Sequence, residues 1–293
     1  MNRIKNYLLW SLIALAITAC STPSHITKDS SVGRNPASHS WANYHWERTA
    51  AQFTLKLGDN LTLADWKSHL TQASSDWNSP QLVGALTTPV LTAITAGQSG
   101  KRCQMVAGTT QVCNNKYGSN GWLGLASIYI SAIDHITQGS VKLNDTYFTL
   151  AKYNNANERQ HVVCQEMAHT FGLDHQSTDG SSQNSCMDYF SNTGVNATNT
   201  ASTQPNAHDF EELNIVYAHL DSGTTVSPSV AASAADEITE NPQSWGDFMA
   251  DKSQGSSAFY ERAGKDGSRI ITHVLWTDER AAQCTSCDHR FER

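Results

Sequence analysis

The feature that most constrains the fold of this chain is the segment QEMAHTFGLDH in the middle of the sequence. Gln165 and His169 are four residues apart, so on a helix their side chains project from one face about one turn apart. That spacing lets two side chains hold one metal ion. Gly172 tolerates positive φ and can end the helix, which allows His175 to return to the same ion. Glu166 is displaced around the helix and can reach a metal-bound water without being a ligand.

This segment resembles the metzincin signature HExxHxxGxxH in every specified position except the first. Further along the chain, the sequence SCMDY resembles the Met-turn of the same family. The resemblance implies that Met187 underlies a metal site. It also implies that Tyr189 lies near the metal and can stabilise an oxyanion.

The resemblance implies a zinc-dependent endopeptidase that acts on a peptide or protein substrate. Gln165, His169 and His175 would be the zinc ligands. Glu166 would be the general base that takes a proton from the zinc-bound water and passes it to the leaving amine. Copper or another divalent ion could also suit a mixed amide and imidazole donor set.

The first ligand position departs from the family pattern, because Gln165 stands where the signature has a histidine. An amide oxygen is a weaker zinc ligand than an imidazole nitrogen, although gametolysin-like peptidases also have glutamine there. Two alternatives are a water molecule and His161, which lies on the same helical face. Eight helical residues span about 12 Å, however, which makes it difficult for His161 to share an ion with His169.

The same resemblance implies an α+β fold over residues 41–221. It consists of a twisted mixed sheet, an active-site helix over 157–171, a Met-turn and a closing helix over 209–217. The active cleft is expected under an edge strand, which we place in the run SVKLNDTYF or in the run before it, WLGLASIYI.

Residue patterns predict several elements independently of any family. Phe53, Leu55 and Leu57 alternate with polar residues and predict a half-buried strand. A helix is predicted from apolar residues at helical spacing, namely Leu63, Trp66, Leu70, Ala73 and Trp77. Short β-rich runs between turn residues predict further strands at LVGAL, LTAIT, QMVAG, WLGLASIYI and SVKLNDTYF.

The N-terminus predicts export and lipid anchoring. Arg3 and Lys5 precede an apolar run that is too short to span a bilayer, and the run ends in ITAC. This ending resembles the lipobox of bacterial lipoproteins, in which Cys20 would become the lipidated first residue. The expected location is therefore the cell envelope, with a lipid anchor in the membrane, and the outer membrane is favoured because Ser21 follows the cysteine. An ordinary cleaved signal peptide or a short membrane anchor is the alternative.

Composition divides the chain into five predicted parts. Residues 1–20 are a signal peptide, 21–40 a flexible tether, 41–221 the main domain, 222–245 a linker and 246–293 a small β-rich element. The net charge of -7 and the lack of a dense Lys/Arg cluster argue against a nucleic-acid partner.

Apart from Cys20, the chain has an even number of cysteines, for which disulfides are expected in an oxidising compartment. Pairing of nearest neighbours suggests Cys103 with Cys113 and Cys284 with Cys287. The spacing of the last two could also indicate a redox or zinc pair. In the metzincin-like arrangement, a bond between Cys164 and Cys186 would connect the helix to the Met-turn.

Two other histidines are interpreted as structural. His135 lies between two strand-like runs and is predicted to be a turn residue, and His273 is predicted to lie on a strand face. The sequence also leaves a second function open, because a metzincin-like envelope protein could bind a peptide or protein partner with little or no cleavage.

Overall fold

The computed structural model describes residues 38–226 and 238–291. The predicted signal peptide, the lipidation site Cys20, nearly all of the predicted tether and the middle of the predicted linker lie outside these ranges. None of the helices in the described ranges is both long enough and apolar enough to cross a membrane.

Within the described ranges, nine strands belong to one sheet. They are β1 (His45–Trp46), β2 (Phe53–Asn60), β3 (Val90–Ala96), β4 (Thr109–Asn115), β5 (Trp122–Ile130), β6 (His135–Asn144), β7 (Asp247–Phe248), β8 (Ser257–Ala263) and β9 (Arg269–Trp276). The runs LVGAL and QMVAG were predicted to be strands, but this is wrong. The first overlaps a short 3-10 helix, Pro80–Val83, and the second is a loop that precedes β4.

The strand order is β3-β2-β4-β6-β5-β9-β8-β7, and β1 pairs with β6 in addition. The pairs formed by β1, β2, β3, β4 and β6 with one another are parallel, whereas every pair from β5 onward is antiparallel. The prediction of a mixed sheet combined with helices is therefore confirmed.

Five α-helices accompany the sheet in the described residues. They are α1 (Ala64–Trp77), α2 (Asp145–Phe148), α3 (Ala156–His169), α4 (Ala207–Val216) and α5 (Asp278–Ala281). The predicted apolar stripe of α1 is buried except at its first member, since Leu63 is the N-cap residue and is exposed. Capping explains where α3 and α4 begin, because the side chains of Asn155 and Asn206 accept hydrogen bonds from main-chain N–H groups of the first turns.

Apolar clusters cover both faces of the sheet around β5. Leu123 and Ile128 belong to the cluster that includes α1 and α3. Trp122 and Leu125 belong to a second cluster, which contains residues from the C-terminal part of the chain such as Trp245. Because strand side chains alternate between faces, β5 is buried on both sides and its sequence is almost continuously apolar.

The C-terminal residues extend this sheet. β9 pairs with β5 along its whole length, from Trp122 opposite Trp276 to Ile130 opposite Arg269. The predicted edge strand is therefore wrong for both runs, because β6 lies between β4 and β5 and β5 lies between β6 and β9. The β strands predicted for residues 246–293 do form, as β7, β8 and β9 of the same sheet.

Three disulfides join the cysteines in the predicted pairs. Cys103 is bonded to Cys113 within the region of β4, and Cys284 is bonded to Cys287 near the C-terminus. The third bond joins Cys164 of α3 to Cys186. It therefore fixes the loop that contains Met187 to the helix that contains Gln165 and His169.

Gly172, which follows the end of α3, has a backbone conformation that only glycine adopts readily. Its φ is +97°, and a Cβ atom there would collide with the main-chain carbonyl oxygen of Tyr44. The carbonyl of Gly172 also accepts a hydrogen bond from the N–H of Trp41, at 2.8 Å. Gly172 therefore holds the N-terminal segment of the described chain close to the end of α3.

We expect Gly172→Ala to lower the free energy of unfolding by more than about 1 kcal/mol, because a clash with main-chain atoms adds to the strain of positive φ. The matched control is Gly84→Ala, since Gly84 has a φ of +81° but no atom within 4 Å of the place that an alanine methyl group would occupy. Urea denaturation of both variants measures the difference. Equal destabilisation would show that the contact with Tyr44 contributes nothing.

Candidate metal centre

The last two turns of α3 bury three polar side chains. Gln165, Glu166 and His169 are each 0% exposed. Burial of such groups is costly unless other atoms satisfy their hydrogen-bonding capacity, so the partners of each side chain indicate what the site can do.

His169 and His175 meet where the chain turns after α3. The Nδ1 atom of His169 lies 2.9 Å from the carbonyl oxygen of Leu173, so Nδ1 carries the proton and Nε2 has a free lone pair. That Nε2 is buried and has no hydrogen-bond partner among the described residues. The ring of His175 is edge-on to the ring of His169, with centroids 4.7 Å apart. Nε2 of His175 is also buried and has no hydrogen-bond partner among the described residues.

Gln165 has an amide group whose orientation is set by the loop of Met187. Its Nε2 donates hydrogen bonds of 2.9 Å to the carbonyl oxygens of Cys186 and Asp188. These two bonds identify which end of the amide is nitrogen. The Oε1 atom is left buried, with no hydrogen-bond partner in the part of the chain that the structure describes. This oxygen is the atom through which Gln165 could bind a metal.

His273 of β9 reaches the same place from a distant part of the sequence. One nitrogen atom from each of His169, His175 and His273 lies within 4.8 Å of the other two. The ring centroid of His273 is 4.0 Å from that of His169 and 4.9 Å from that of His175. The sequence placed His273 on a strand face, and the structure shows that this face is turned toward α3.

His161, the alternative first ligand, lies on the other side of the Gln165 amide. Its Nε2 is 3.3 Å from Nε2 of Gln165. Burial lowers the pKa of His161, with the Asp188 carboxylate opposing this effect. His161 does not belong to the group whose nitrogen atoms converge, which consists of His169, His175 and His273.

Both nitrogen atoms of His273 have partners. Nδ1 is 2.9 Å from Oε2 of Glu166, and Nε2 is 2.7 Å from the hydroxyl of Ser257 on β8. The other carboxylate oxygen of Glu166, Oε1, is buried with no hydrogen-bond partner within the described ranges. It lies against Gly124 of β5, where a Cβ atom would be 2.7 Å from it. The glycine in β5 therefore makes room for the carboxylate.

Met187 and Tyr189 lie on the loop that Cys186 ties to α3. Met187 is fully buried, and its carbonyl accepts a hydrogen bond of 2.5 Å from the N–H of Gln176. The ring of Tyr189 is edge-on to that of His175, with centroids 4.5 Å apart. The structure thus brings Tyr189 to the histidines and buries Met187 in the same loop.

Burial keeps the imidazoles of this centre neutral. It lowers the pKa of His169 well below its usual value and lowers that of His175 to about 4, against the raising effect of Asp174. It also lowers the pKa of His273 to about 3. Burial raises the pKa of Glu166 well above its usual value, and His175 opposes this shift. Neutral imidazoles are the form that binds a metal ion, and a cation nearby would favour ionised Glu166.

Aromatic rings close the site on one side, and a cavity opens it on another. Trp41 stacks on His169 at a centroid distance of 5.0 Å, and Phe259 packs edge-on against Trp41 at 5.3 Å. A cavity of about 410 Å³ is lined by His175, Tyr189 and residues of the segment 250–254. Solvent or a ligand can therefore approach the histidines beside Tyr189.

Comparison of the sequence with models of known protein families gave no match, and no curated protein is similar to the chain at a significant level. The likeness to metzincins therefore rests on the motif residues.

Glu158, two turns before Gln165 on α3, is a second buried carboxylate. Its Oε2 accepts a hydrogen bond of 2.8 Å from the N–H of Asn192, which follows the loop of Tyr189. Burial raises the pKa of Glu158 to about 8, and the nearby Asp278 carboxylate raises it further. Between pH 4.5 and about 8, Glu158 is therefore protonated in the folded protein but ionised in the unfolded chain.

Because this folded-state pKa is raised, the stability that the proton provides is complete below pH 4.5 and is lost as pH rises toward 8. We expect the free energy of unfolding to fall by up to about 1.4 kcal/mol per pH unit across that window. Glu158→Gln cannot ionise and should remove this part of the slope, while its amide oxygen can still accept the Asn192 bond. Urea denaturation from pH 5 to 8 tests this, and parallel curves for the two proteins would contradict it.

Proposed function

We propose that the protein is a zinc-dependent metallopeptidase whose centre is formed by Gln165, His169 and His175, with Glu166 as general base. The observation that carries the proposal is the set of buried lone pairs without partners on these residues. Each such group costs about 1–3 kcal/mol if it stays unsatisfied, and a cation bound between them would remove that cost. A carboxylate beside a metal ion is the arrangement that hydrolysis of a peptide bond requires.

The donor set fits zinc. Zinc binds nitrogen and oxygen donors in tetrahedral sites, and catalytic sites use three protein ligands and one water. His169 has its Nδ1 bonded to a main-chain carbonyl, which directs Nε2 toward the ion, as is usual for metal-binding histidines. The neutral amide and imidazoles leave the charge of zinc largely uncompensated, which favours ionisation of the bound water.

The third donor is Gln165 rather than His273 in this proposal. The amide oxygen of Gln165 has no partner among the described residues, whereas both nitrogen atoms of His273 already have partners. His273 would instead hold Oε2 of Glu166. This leaves Oε1, the oxygen without a partner, to take the proton.

Resemblance to the metzincins supports the same proposal. The two motif histidines, His169 and His175, converge, and Tyr189 packs against the second of them. The mixed sheet with the two long helices α1 and α3 agrees with the twisted sheet that the resemblance implies. A zincin-like fold is therefore part of the proposal.

Zinc bound here would polarise the scissile carbonyl and lower the pKa of its water to about 7. The chain's own residues then direct the proton. Oε1 of Glu166 would accept the proton of the attacking water and deliver it to the leaving amine, while His273 holds the carboxylate in place through Oε2. The hydroxyl of Tyr189 is protonated at neutral pH, because the ordinary tyrosine pKa of 10.0 lies well above 7 and burial raises it further, and it can donate a hydrogen bond to the oxyanion.

The covered edge of β5 limits how a substrate can bind. An extended peptide cannot pair with β5 while β9 occupies that edge. The cavity beside His175 and Tyr189 is the route that the folded structure offers, and its volume of about 410 Å³ is in the range typical of small-ligand sites. Short peptides or flexible loops of a protein are therefore the substrate class that we propose.

A second candidate function is peptide or protein binding without cleavage. The hydrogen bond between His273 and Glu166 restricts the general base, and the pairing of β9 with β5 restricts the cleft. Both features favour this second function. Cleavage by the zinc-loaded protein distinguishes the two functions.

We expect Glu166→Gln to reduce peptide cleavage by at least about 10²-fold, the contribution of a positioned general base, while zinc content is unchanged. Cleavage of a broad peptide library by the zinc-loaded protein measures this. The control is Glu211→Gln, because the side chain of Glu211 on α4 is 68% exposed and its carboxylate is remote from the motif in sequence. Equal cleavage by wild type and Glu166→Gln, or none by wild type, would favour the binding function.

The third donor can be identified by comparing Gln165→Ala with His273→Ala. We expect Gln165→Ala to weaken zinc binding more, because it removes the free oxygen donor. His273→Ala should instead retain zinc and shift the pH dependence of cleavage, because it releases Glu166. Zinc titration with a competing chelator gives the affinities. A larger loss of zinc affinity in His273→Ala would assign the third position to His273.

A further inference from the structure

A second group of histidines surrounds Asp221, which follows α4. His45 is the first residue of β1, and His135 is the first residue of β6. The two are directly paired in the parallel register of these strands. His219 lies two residues before Asp221, so the last turn after α4 brings a third ring to the same carboxylate. None of these residues belongs to the centre formed by Gln165, His169 and His175.

Three imidazole nitrogen atoms face a single oxygen of Asp221. The distances from Oδ1 to Nε2 are 3.5 Å for His45, 3.4 Å for His135 and 3.3 Å for His219. A typical N–H···O hydrogen bond is about 2.9–3.0 Å, so all three separations are longer. Ligand atoms around a tetrahedral zinc ion with bonds of about 2.0–2.1 Å are separated by about 3.3–3.4 Å. The distances from Oδ1 to the three nitrogen atoms therefore match those between two ligands of one zinc ion.

The state of His45 points to the same conclusion. Its Nδ1 is 2.8 Å from the carbonyl oxygen of Asn43, so Nδ1 carries a proton and donates this hydrogen bond. Its Nε2 is buried, faces Asp221 and has no hydrogen-bond partner in residues 38–226 or 238–291. A cation between Nε2 of His45 and Oδ1 of Asp221 would be attracted to both atoms and would give this buried nitrogen a partner.

Asp221 is itself held in position by the main chain. Its Oδ2 accepts a hydrogen bond of 2.9 Å from the N–H of Arg48, and its own N–H donates to the carbonyl of Arg48 at 2.8 Å. The guanidinium of Arg48 donates to the carbonyls of Ala50 and Tyr217. Oδ1 is therefore directed at the histidines.

We propose that His45, His219 and Asp221, with His135 as a fourth donor, bind a divalent transition-metal ion, and zinc is the ion expected because imidazole and carboxylate are among its usual ligands. His45, His219 and Asp221 have donor atoms that all lie within 4.8 Å of one another. His135 lies outside this group of three, but its Nε2 is 3.4 Å from the same oxygen of Asp221. If His135 also binds the ion, three imidazoles and one carboxylate would complete a set of four, which is typical of a structural rather than a catalytic zinc site.

Such an ion would connect three separate parts of the fold. It would join β1 and the start of β6 to the segment that follows α4, close to the point where Asp221 also bonds to Arg48. The expected role is therefore stabilisation of the N-terminal strand against the sheet. Zinc should raise the midpoint of thermal unfolding, Tm, in proportion to the logarithm of its free concentration, because it binds only the folded chain.

The test is the zinc content of the full-length protein after chelator treatment, reloading with Zn²⁺ and removal of excess metal. His219→Ala is the main variant, because the side chain of His219 is 59% exposed and its loss should leave folding intact. We expect it to bind one zinc fewer per chain than wild type and to show a smaller zinc-dependent rise in Tm. The matched control is His69→Ala on α1, which removes a histidine outside both groups and should leave zinc content unchanged.

His169→Ala separates this site from the proposed catalytic one. We expect the His169→Ala variant to bind one zinc per chain and the double variant His169→Ala/His219→Ala to bind none, whether or not the protein cleaves peptides. If His169→Ala binds no zinc, or if His219→Ala binds as much zinc as wild type, the second site does not exist and the residues around Asp221 form an ion-pair network only. If wild type binds one zinc that only His219→Ala loses, the second site stands and the catalytic proposal fails.

Discussion

The burial of polar side chains on the last turns of α3 is the constraint on which the rest of the structure depends. Gln165, Glu166 and His169 are inside the protein, and each requires partners that the helix itself cannot provide. Those partners come from three places, namely the loop of Met187, the turn after Gly172 and the strand β9. The disulfide from α3, the positive φ of Gly172 and the pairing of β9 with β5 all serve to bring these partners together.

Pairing of β9 with β5 has the largest consequence for function. It places His273 against Glu166 and the histidines, and it also closes the edge at which an extended peptide could otherwise join the sheet. The same strand therefore positions the carboxylate and restricts access to it. A catalyst built in this way would be selective, because its substrate has to enter beside Tyr189. A binding protein built in this way would use the same cavity.

Local patterns in the sequence allowed prediction of the elements that depend on local interactions. The strand at Phe53, helix α1 and the bonds Cys103–Cys113 and Cys284–Cys287 follow from alternation, apolar spacing and the proximity of the cysteines in sequence. Helices α3 and α4 and the bond between Cys164 and Cys186 were expected from the metzincin-like arrangement. The edge strand was placed wrongly because local patterns do not show that β6 lies between β4 and β5, or that β9, more than a hundred residues further along the chain, covers β5. His273 and the group around Asp221 were missed for the same reason, since only tertiary contacts bring these side chains together.

Diffraction data collected from crystals of the zinc-loaded protein at the zinc absorption edge test the central claim most directly. We predict an anomalous peak about 2.0–2.1 Å from Nε2 of His169 and from His175, with the amide oxygen of Gln165 at a similar distance. A zinc-loaded crystal with no peak between His169 and His175 would contradict the account. The lone pairs of α3 would then be satisfied by something other than a metal ion, and Glu166 would have no activated water to deprotonate.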